Sequence, residues 1–101
     1  MLHAIVMSLR LKDKVSIVTG SSSGLGRTIS LRYGQEGASV VCADLRPRAR
    51  APDLEDSNVE THELIKQRGG KAIFVKADVT SAKEWHALVS AAVKEFGRLD
   101  M

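Results

Sequence analysis

The sequence predicts an α/β protein in which helices cover a parallel β-sheet. Strand-like and helix-like patterns alternate along the 101 residues, and this alternation is typical of strand–helix–strand units. A turn rich in glycine and serine separates the first strand from the first helix, and the last helix carries a long apolar stripe. We therefore expect a doubly wound parallel sheet, limited to about three strands and three helices and followed by the start of a fourth strand.

The first three elements follow from short-range patterns. The β-branched residues within 15–19 predict a strand that runs into a tight turn. Leu25 and Ile29 lie four residues apart, which places them on one face of a helix, and Gly37 is suited to the left-handed position that ends it. Residues 40–43 are continuously apolar, as in a strand that is buried on both faces.

The second helix and the third strand are predicted from capping signals and a short apolar run. Ser57 and Glu60 fit a capping box at the start of the second helix, which the glycines at Gly69 and Gly70 end. Residues 73–75 predict the third strand.

The last helix has the most regular pattern. Ser81 and Glu84 form a second capping box, and Gly97 ends the helix. We expect Trp85 to lie in the core and residues 98–101 to enter a fourth strand. The apolar stripe follows the spacing of one helix face and consists of Trp85, Leu88, Val89, Ala92, Val93 and Phe96.

Composition and charge exclude several classes of protein. A single cysteine rules out an internal disulfide framework, and no apolar run approaches the length of a membrane span. The net charge of +3 comes from 15 basic and 12 acidic residues that are interspersed, so we expect no nucleic-acid partner. His3, His62 and His86 lack a second ligand at useful spacing, so we expect no metal site. Cys42 is expected to be a small apolar filler within a buried strand.

Residues 1–8 are interpreted as an N-terminal extension and residues 9–101 as one domain that is incomplete at its C-terminus. The extension lacks the features of a leader peptide, so we expect a cytoplasmic protein. Met7 precedes a natural domain start, and the sequence leaves open whether translation begins there or at Met1.

The turn after the first strand has the features of a phosphate-binding loop. Gly20 permits a sharp turn, Gly24 lets the backbone approach a diphosphate, and Gly26 allows the following helix to pack closely. The amides at the start of that helix favour an anion. The loop has no lysine followed by serine or threonine, which excludes a P-loop. Its position between a strand and a helix predicts a Rossmann-type, dinucleotide-binding fold.

These motifs resemble those of the short-chain dehydrogenase/reductase family. The loop Thr19-Gly20-x-x-x-Gly24-x-Gly26 is similar to the family's cofactor signature, and the resemblance extends over residues 9–101. It is supported by residues 11–15 before the first strand, by Asp78-Val79 after the third strand and by residues 96–100 before the fourth.

An acid after the second strand bears on the choice of cofactor. Asp44 lies 18 residues beyond Gly26, near the spacing expected for the acid that binds an adenosine ribose. A carboxylate there accepts hydrogen bonds from ribose hydroxyls and repels a 2′-phosphate. Arg46 favours NADP instead, whereas Ser23 stands where NADP-preferring relatives often carry a base. We favour NAD over NADP.

The resemblance implies further cofactor contacts. Asp78 and Val79 would line the adenine pocket, although Asp78 also fits a role in leading into the last helix. Leu25 would face the pyrophosphate and nicotinamide side. The expected cofactor-binding residues are Gly20, Ser21, Ser22, Ser23, Gly24, Leu25, Gly26, Asp44, Asp78 and Val79.

Catalytic residues of the family are not expected in this sequence. The family uses a tyrosine with a lysine four residues later, but Tyr33 lies in the first helix and is followed at that spacing by Gly37. We therefore expect a full-length parent that transfers hydride between NAD and an alcohol or carbonyl substrate, and an inactive 101-residue chain. Oligomerisation through regions outside this sequence stays open. The alternatives are a separate module for another adenosine ligand, such as S-adenosylmethionine, and a truncated gene product without independent function.

Overall fold

The computed structural model describes residues 10–46 and 59–101 and confirms the predicted fold class. Three parallel strands form one sheet in the order β1-β2-β3, with strands and helices alternating along the chain. The elements are β1 (Val15–Thr19), α1 (Gly24–Gln35), β2 (Ser39–Asp44), α2 (Thr61–Gln67), β3 (Lys71–Lys76) and α3 (Ala82–Phe96).

The side chains of the central strand alternate between two separate cores. Val40 and Cys42 point to the face covered by α1 and α2, where they pack in a cluster with Ile65. Val41 and Ala43 point to the opposite face and pack in a second cluster that includes residues of α3. All four of these β2 side chains are at most 1% exposed, as expected for a strand with helices on both sides.

The prediction that Trp85 lies in the core is wrong. Leu88 and Ala92 of α3 are fully buried against the sheet, but Trp85 is 43% and Val93 is 46% exposed. The apolar stripe consists of two adjacent rows with a four-residue spacing, and only the row that contains Leu88 and Ala92 lies over the strands. The row that contains Trp85 and Val93 lies at the flank of the helix, because the stripe is wider than the sheet that the described residues provide.

The start of a fourth strand is present beside β1. The amide of Asp100 donates to the Val15 carbonyl at 2.8 Å, and the amide of Ile17 donates to the Met101 carbonyl at 2.8 Å. The Met101 amide also donates to the Val15 carbonyl at 3.1 Å, so the amide and the carbonyl of Met101 bond on either side of Ser16, as one residue does in a parallel pair. The Asp100 carboxylate also accepts from the Val15 amide at 2.9 Å, which fixes the approach to the strand.

The capping predictions are only partly confirmed. Glu60 is the N-cap residue of α2 and not part of its first turn, so the proposed capping box is wrong for that helix; Ser57 lies outside the described residues, as does the predicted extension 1–8. At α3 the Ser81 hydroxyl accepts from the Glu84 amide at 3.3 Å as predicted. The Glu84 carboxylate, however, accepts from the Asp78 amide instead of returning to the cap residue.

Candidate functional site

The candidate site lies at the carboxyl end of the parallel strands, where open α/β sheets bind their ligands. The turn between β1 and α1 comprises residues 20–23 and is called the phosphate loop here. Asp44 ends β2, and its carbonyl accepts from the Ala77 amide at 3.0 Å beyond β3. The structure thus brings the phosphate loop, Asp44 and Asp78 to one edge of the sheet.

The three glycines have distinct geometric roles. Gly20 and Gly24 have positive φ angles of 65° and 56°, a region in which glycine is least strained. A Cβ atom at Gly24 would meet nothing within 4 Å, so the backbone faces open space. At Gly26 a Cβ atom would lie 2.1 Å from the Gly20 carbonyl oxygen. Gly26 therefore lets α1 pack directly on the turn, and Gly24 leaves room for a ligand.

Two serines of the phosphate loop attach it to the end of β2. The amide and hydroxyl of Ser21 both donate to the Ala43 carbonyl, at 3.2 and 3.3 Å. The Ser22 hydroxyl donates to the Arg46 carbonyl. Ser21 and Ser22 are 0% and 2% exposed, so their side chains shape the loop and do not present hydroxyls at its surface.

The first turn of α1 has no side-chain cap and contains no acidic residue. Ser23 is its N-cap residue, but the side chain makes no capping hydrogen bond, and the first turn contains no acidic residue. This differs from α3, where Ser81 caps the helix and Glu84 lies in the first turn. The amides in the first turn of α1 are therefore not bonded by the Ser23 side chain or by an acid within that turn. Leu25 is 76% exposed beside them.

The Asp44 carboxylate is held by two backbone amides. Its Oδ2 accepts from Ser22 at 3.1 Å, and its Oδ1 accepts from Leu45 at 2.7 Å. Each oxygen has a second lone pair that could accept from a ligand hydroxyl. The contact with Ser22 links the acid directly to the phosphate loop, so the two predicted parts of the site form one unit.

Asp78 belongs to the turn that leads into α3. Its Oδ1 accepts from the Thr80 hydroxyl at 2.6 Å and from the Thr80 amide at 3.0 Å. These two bonds, the hydroxyl first, lower the pKa of Asp78. The helix-leading role is therefore present in the structure. Val79, next to it, is 52% exposed and available to pack against a ligand.

A cavity of about 510 Å³ adjoins the end of β1. The residues that line it come from the end of β1, the turn after β3 and the start of α3: Thr19, Val79, Thr80, Ala82 and Trp85. Of these, only Val79 was predicted from the sequence. Trp85 was missed because its apolar periodicity indicated a core position.

Sequence reasoning also missed a buried polar group beneath the phosphate loop. Arg27 of α1 is 7% exposed, and its Nη1 donates to the Thr61 hydroxyl at 2.9 Å. Cys42 lies close by, and burial raises the pKa of its thiol to about 11 despite hydrogen bonds with Ser21 and Ser30. The thiol is therefore neutral at physiological pH, which agrees with the predicted filler role.

Residues 10–46 and 59–101 contain the helices α1, α2 and α3. None of the helices in these ranges has the length and apolar content that a membrane crossing requires. No group of three histidine, cysteine or acidic residues there has the arrangement of a metal site.

Fold and loop together define a Rossmann-type α/β domain in which the turn after the first strand has the spacing Gly-x-x-x-Gly-x-Gly. The family model for short chain dehydrogenases matches residues 14–101. The chain therefore belongs to the short-chain dehydrogenase/reductase family.

Several curated and solved relatives are named dehydrogenases. The chain is 42% identical over 91 residues to 3-hydroxyacyl-CoA dehydrogenase type-2 of Drosophila melanogaster, covering 90% of the chain and 31% of the relative. It is equally identical over 91 residues to glucose 1-dehydrogenase 2 of Bacillus subtilis, at 90% and 33% coverage. The crystal structure of a hydroxysteroid dehydrogenase from Escherichia coli superimposes with a TM-score of 0.77 at 33% identity, over 92% of the chain and 35% of that protein. The chain thus spans about a third of the length of these relatives.

Proposed function

We propose that this chain is the cofactor-binding part of an NAD-dependent oxidoreductase that acts on an alcohol or carbonyl substrate. The observation that carries the proposal is the bond between the Ser22 amide and the Asp44 carboxylate, since it joins a diphosphate-binding turn to a ribose-binding acid. When bound, a nicotinamide dinucleotide accepts or donates the hydride.

The residues of the loop fit a dinucleotide. The open space at Gly24 and the uncapped amides of α1 favour a diphosphate. Asp78 and Val79 stand at the same edge, and we assign them to the adenine side. Ser21 and Ser22 contribute by holding the loop, and Ser23 and Leu25 border its open side.

The fixed Asp44 favours NAD over NADP. Because two backbone amides hold its carboxylate, the negative charge does not turn away to admit a 2′-phosphate. Arg46 carries a positive charge two residues later, but the contact that attaches this residue to the loop is made by its backbone carbonyl and not by its guanidinium. The acid therefore dominates the choice of cofactor in this proposal.

Catalysis requires residues that this chain does not provide. Tyr33 lies within α1 and packs at the edge of the core on that face, and Gly37 follows it at the spacing where a catalytic lysine is required. We therefore propose that the 101-residue chain binds the cofactor without turning over a substrate. The differing names of the relatives leave the substrate unassigned.

The test is calorimetric titration of the purified chain with NAD, NADP and S-adenosylmethionine. We expect NAD to bind more tightly than NADP. Asp44→Asn removes the charge, and we expect it to reduce the NAD-over-NADP preference by roughly tenfold, as for the loss of a charged hydrogen bond.

Asp13→Asn is the matched control. It changes the net charge equally but lies before β1, at the opposite end of the sheet, and asparagine tolerates its φ of 65°. Preference for S-adenosylmethionine, or no binding of NAD by folded protein, would contradict the proposal. The same would follow if both variants changed the preference alike.

A further inference from the structure

A single buried hydroxyl connects both helices of one sheet face to the phosphate loop. Thr61 is the first residue of α2 and is 1% exposed. Its Oγ1 accepts from Arg27 Nη1 at 2.9 Å and donates to the Ser21 carbonyl at 2.7 Å. In the sequence, Thr61 is 34 positions from Arg27 and 40 positions from Ser21.

The direction of these two bonds is fixed by the chemistry of the partners. A guanidinium only donates, and a carbonyl oxygen only accepts. The Thr61 hydrogen must therefore point at Ser21, and its oxygen must receive Arg27. A hydroxyl with such partners on both sides has one favourable orientation, so the Ser21 carbonyl is held in place.

The Ser21 carbonyl belongs to the same rigid peptide unit as the Ser22 amide. A trans peptide is planar, with its C=O and N–H pointing in opposite directions. Thr61 holds the carbonyl end at 2.7 Å, and the Asp44 carboxylate holds the amide end at 3.1 Å. Any rotation of this peptide breaks one bond or the other.

We infer that Thr61 is a positioning residue which, through the Ser21–Ser22 peptide, fixes the phosphate loop and the carboxylate of Asp44. Thr61 touches no ligand in this arrangement and acts only through that peptide. The expected effect on the preference for NAD rests on the proposed function. The hydrogen bonds by which Thr61 holds the peptide lie within the protein and do not depend on that function.

Thr61→Val tests the inference, because valine keeps the β-branched shape and removes both hydrogen bonds. We expect NAD to bind roughly tenfold more weakly, and the NAD-over-NADP preference to fall, as the carboxylate loses its fixed position. Thr61→Ser keeps the hydroxyl and is expected to retain the wild-type preference.

Ile65→Val is the matched control for a purely structural effect. Ile65 is buried four residues further along α2 and packs against Gly34 and Gly70, away from Ser21. We expect this variant to lower the thermal stability without changing the ratio of NAD to NADP affinity. If Thr61→Val binds both dinucleotides like the wild type, or if Ile65→Val shifts the ratio equally, the inference is overturned.

Amide hydrogen exchange tests this inference without a bound cofactor, so its result is separate from that of the proposed function. The measurement on the wild type remains informative even if a Thr61 variant does not fold. In the wild type we expect the Ser22 amide to exchange about as slowly as that of Val41 in the central strand. In Thr61→Val it is expected to exchange roughly tenfold faster relative to Val41. Exchange of Ser22 at the rate of an exposed amide in the wild type overturns the inference. Failure of the wild type to bind NAD counts against the proposed function only.

Discussion

The two faces of the sheet are covered to different degrees. On one face α1 and α2 enclose Ile65, and a Cβ atom at Gly34 would lie only 2.8 Å from its Cγ2. On the other face α3 buries Leu88 but leaves Trp85 and Val93 largely at the surface. One face is thus closely packed, whereas the other has an apolar flank that the described residues do not cover.

This difference separates the candidate site from the exposed flank. The contacts that shape the phosphate loop come from β2 and from the closely packed face, through Ala43, Asp44 and Thr61. The α3 face contributes Trp85 to the neighbouring cavity. We therefore expect changes in the packing around the loop to be costly, and changes on the flank of α3 to be tolerated.

Gly26→Ala is expected to have the largest effect on stability. The added Cβ atom would lie 2.1 Å from the Gly20 carbonyl oxygen and 3.1 Å from that of Thr19. Because both neighbours are backbone atoms, the helix or the loop must move, and we expect a loss of about 3 kcal/mol or more. Urea denaturation followed by circular dichroism measures this change.

Gly24→Ala is the companion substitution. Its Cβ atom has open space, but its φ of 56° costs an alanine about 1 to 2 kcal/mol. If Gly24→Ala and Gly26→Ala lost equal amounts of stability, backbone strain and not the close packing of α1 would determine the role of Gly26.

The second comparison lies within α3. Leu88→Ala removes a fully buried side chain and is expected to cost about 2 to 5 kcal/mol. Val93→Ala removes atoms from a side chain that is 46% exposed and is expected to cost less than about 1 kcal/mol. Thermal and urea unfolding of the two variants provide the measurement.

Both substitutions introduce alanine into the same helix, but valine is a poorer helix former than leucine, so helix propensity favours Val93→Ala by less than about 0.7 kcal/mol and widens the expected difference. A loss for Val93→Ala as large as that for Leu88→Ala would mean that the flank is covered in solution. Such a result would contradict the difference in packing between the two faces of the sheet.

The sequence was sufficient to predict the elements and the loop because their signals are local. The strand at residues 40–43 and the glycines at 20, 24 and 26 act through short-range backbone geometry, and the structure places them as expected. Gly97 likewise ends α3 with a φ of 83°. The position of Asp44 at the end of β2 could be predicted from its spacing to the loop, whereas its role in cofactor binding stays a prediction.

The errors concern relations between elements. The periodicity of α3 identifies an apolar stripe but not the width of the surface that covers it, so Trp85 was placed in the core. Arg27 and Thr61 are 34 residues apart, so their contact produces no short-range pattern in the sequence. A buried polar contact of this kind depends on how two helices pack, which one sequence does not reveal.

The smallest expected effect concerns the pH dependence of the incipient fourth strand. The pKa of the Asp100 carboxylate lies below the ordinary value of 3.8. The hydrogen bond from the Arg98 side chain is the largest cause, and the bond from the Val15 amide is the second. A carboxyl whose pKa is lowered by folding stabilises the folded state when ionised. Its contribution is therefore fully present above pH 3.8 and is lost as the pH falls through the folded pKa.

Asp100→Asn isolates this contribution. The amide can still accept from Val15 but carries no charge to attract Arg98, so we expect a slightly lower melting temperature at pH 7. The difference from the wild type should shrink as the pH falls through the folded pKa of Asp100. Because the pair is at the surface, salt should reduce the difference at pH 7. A difference that persists unchanged in acid would mean that the shape of the side chain, and not its ionisation, attaches residues 100–101 to β1.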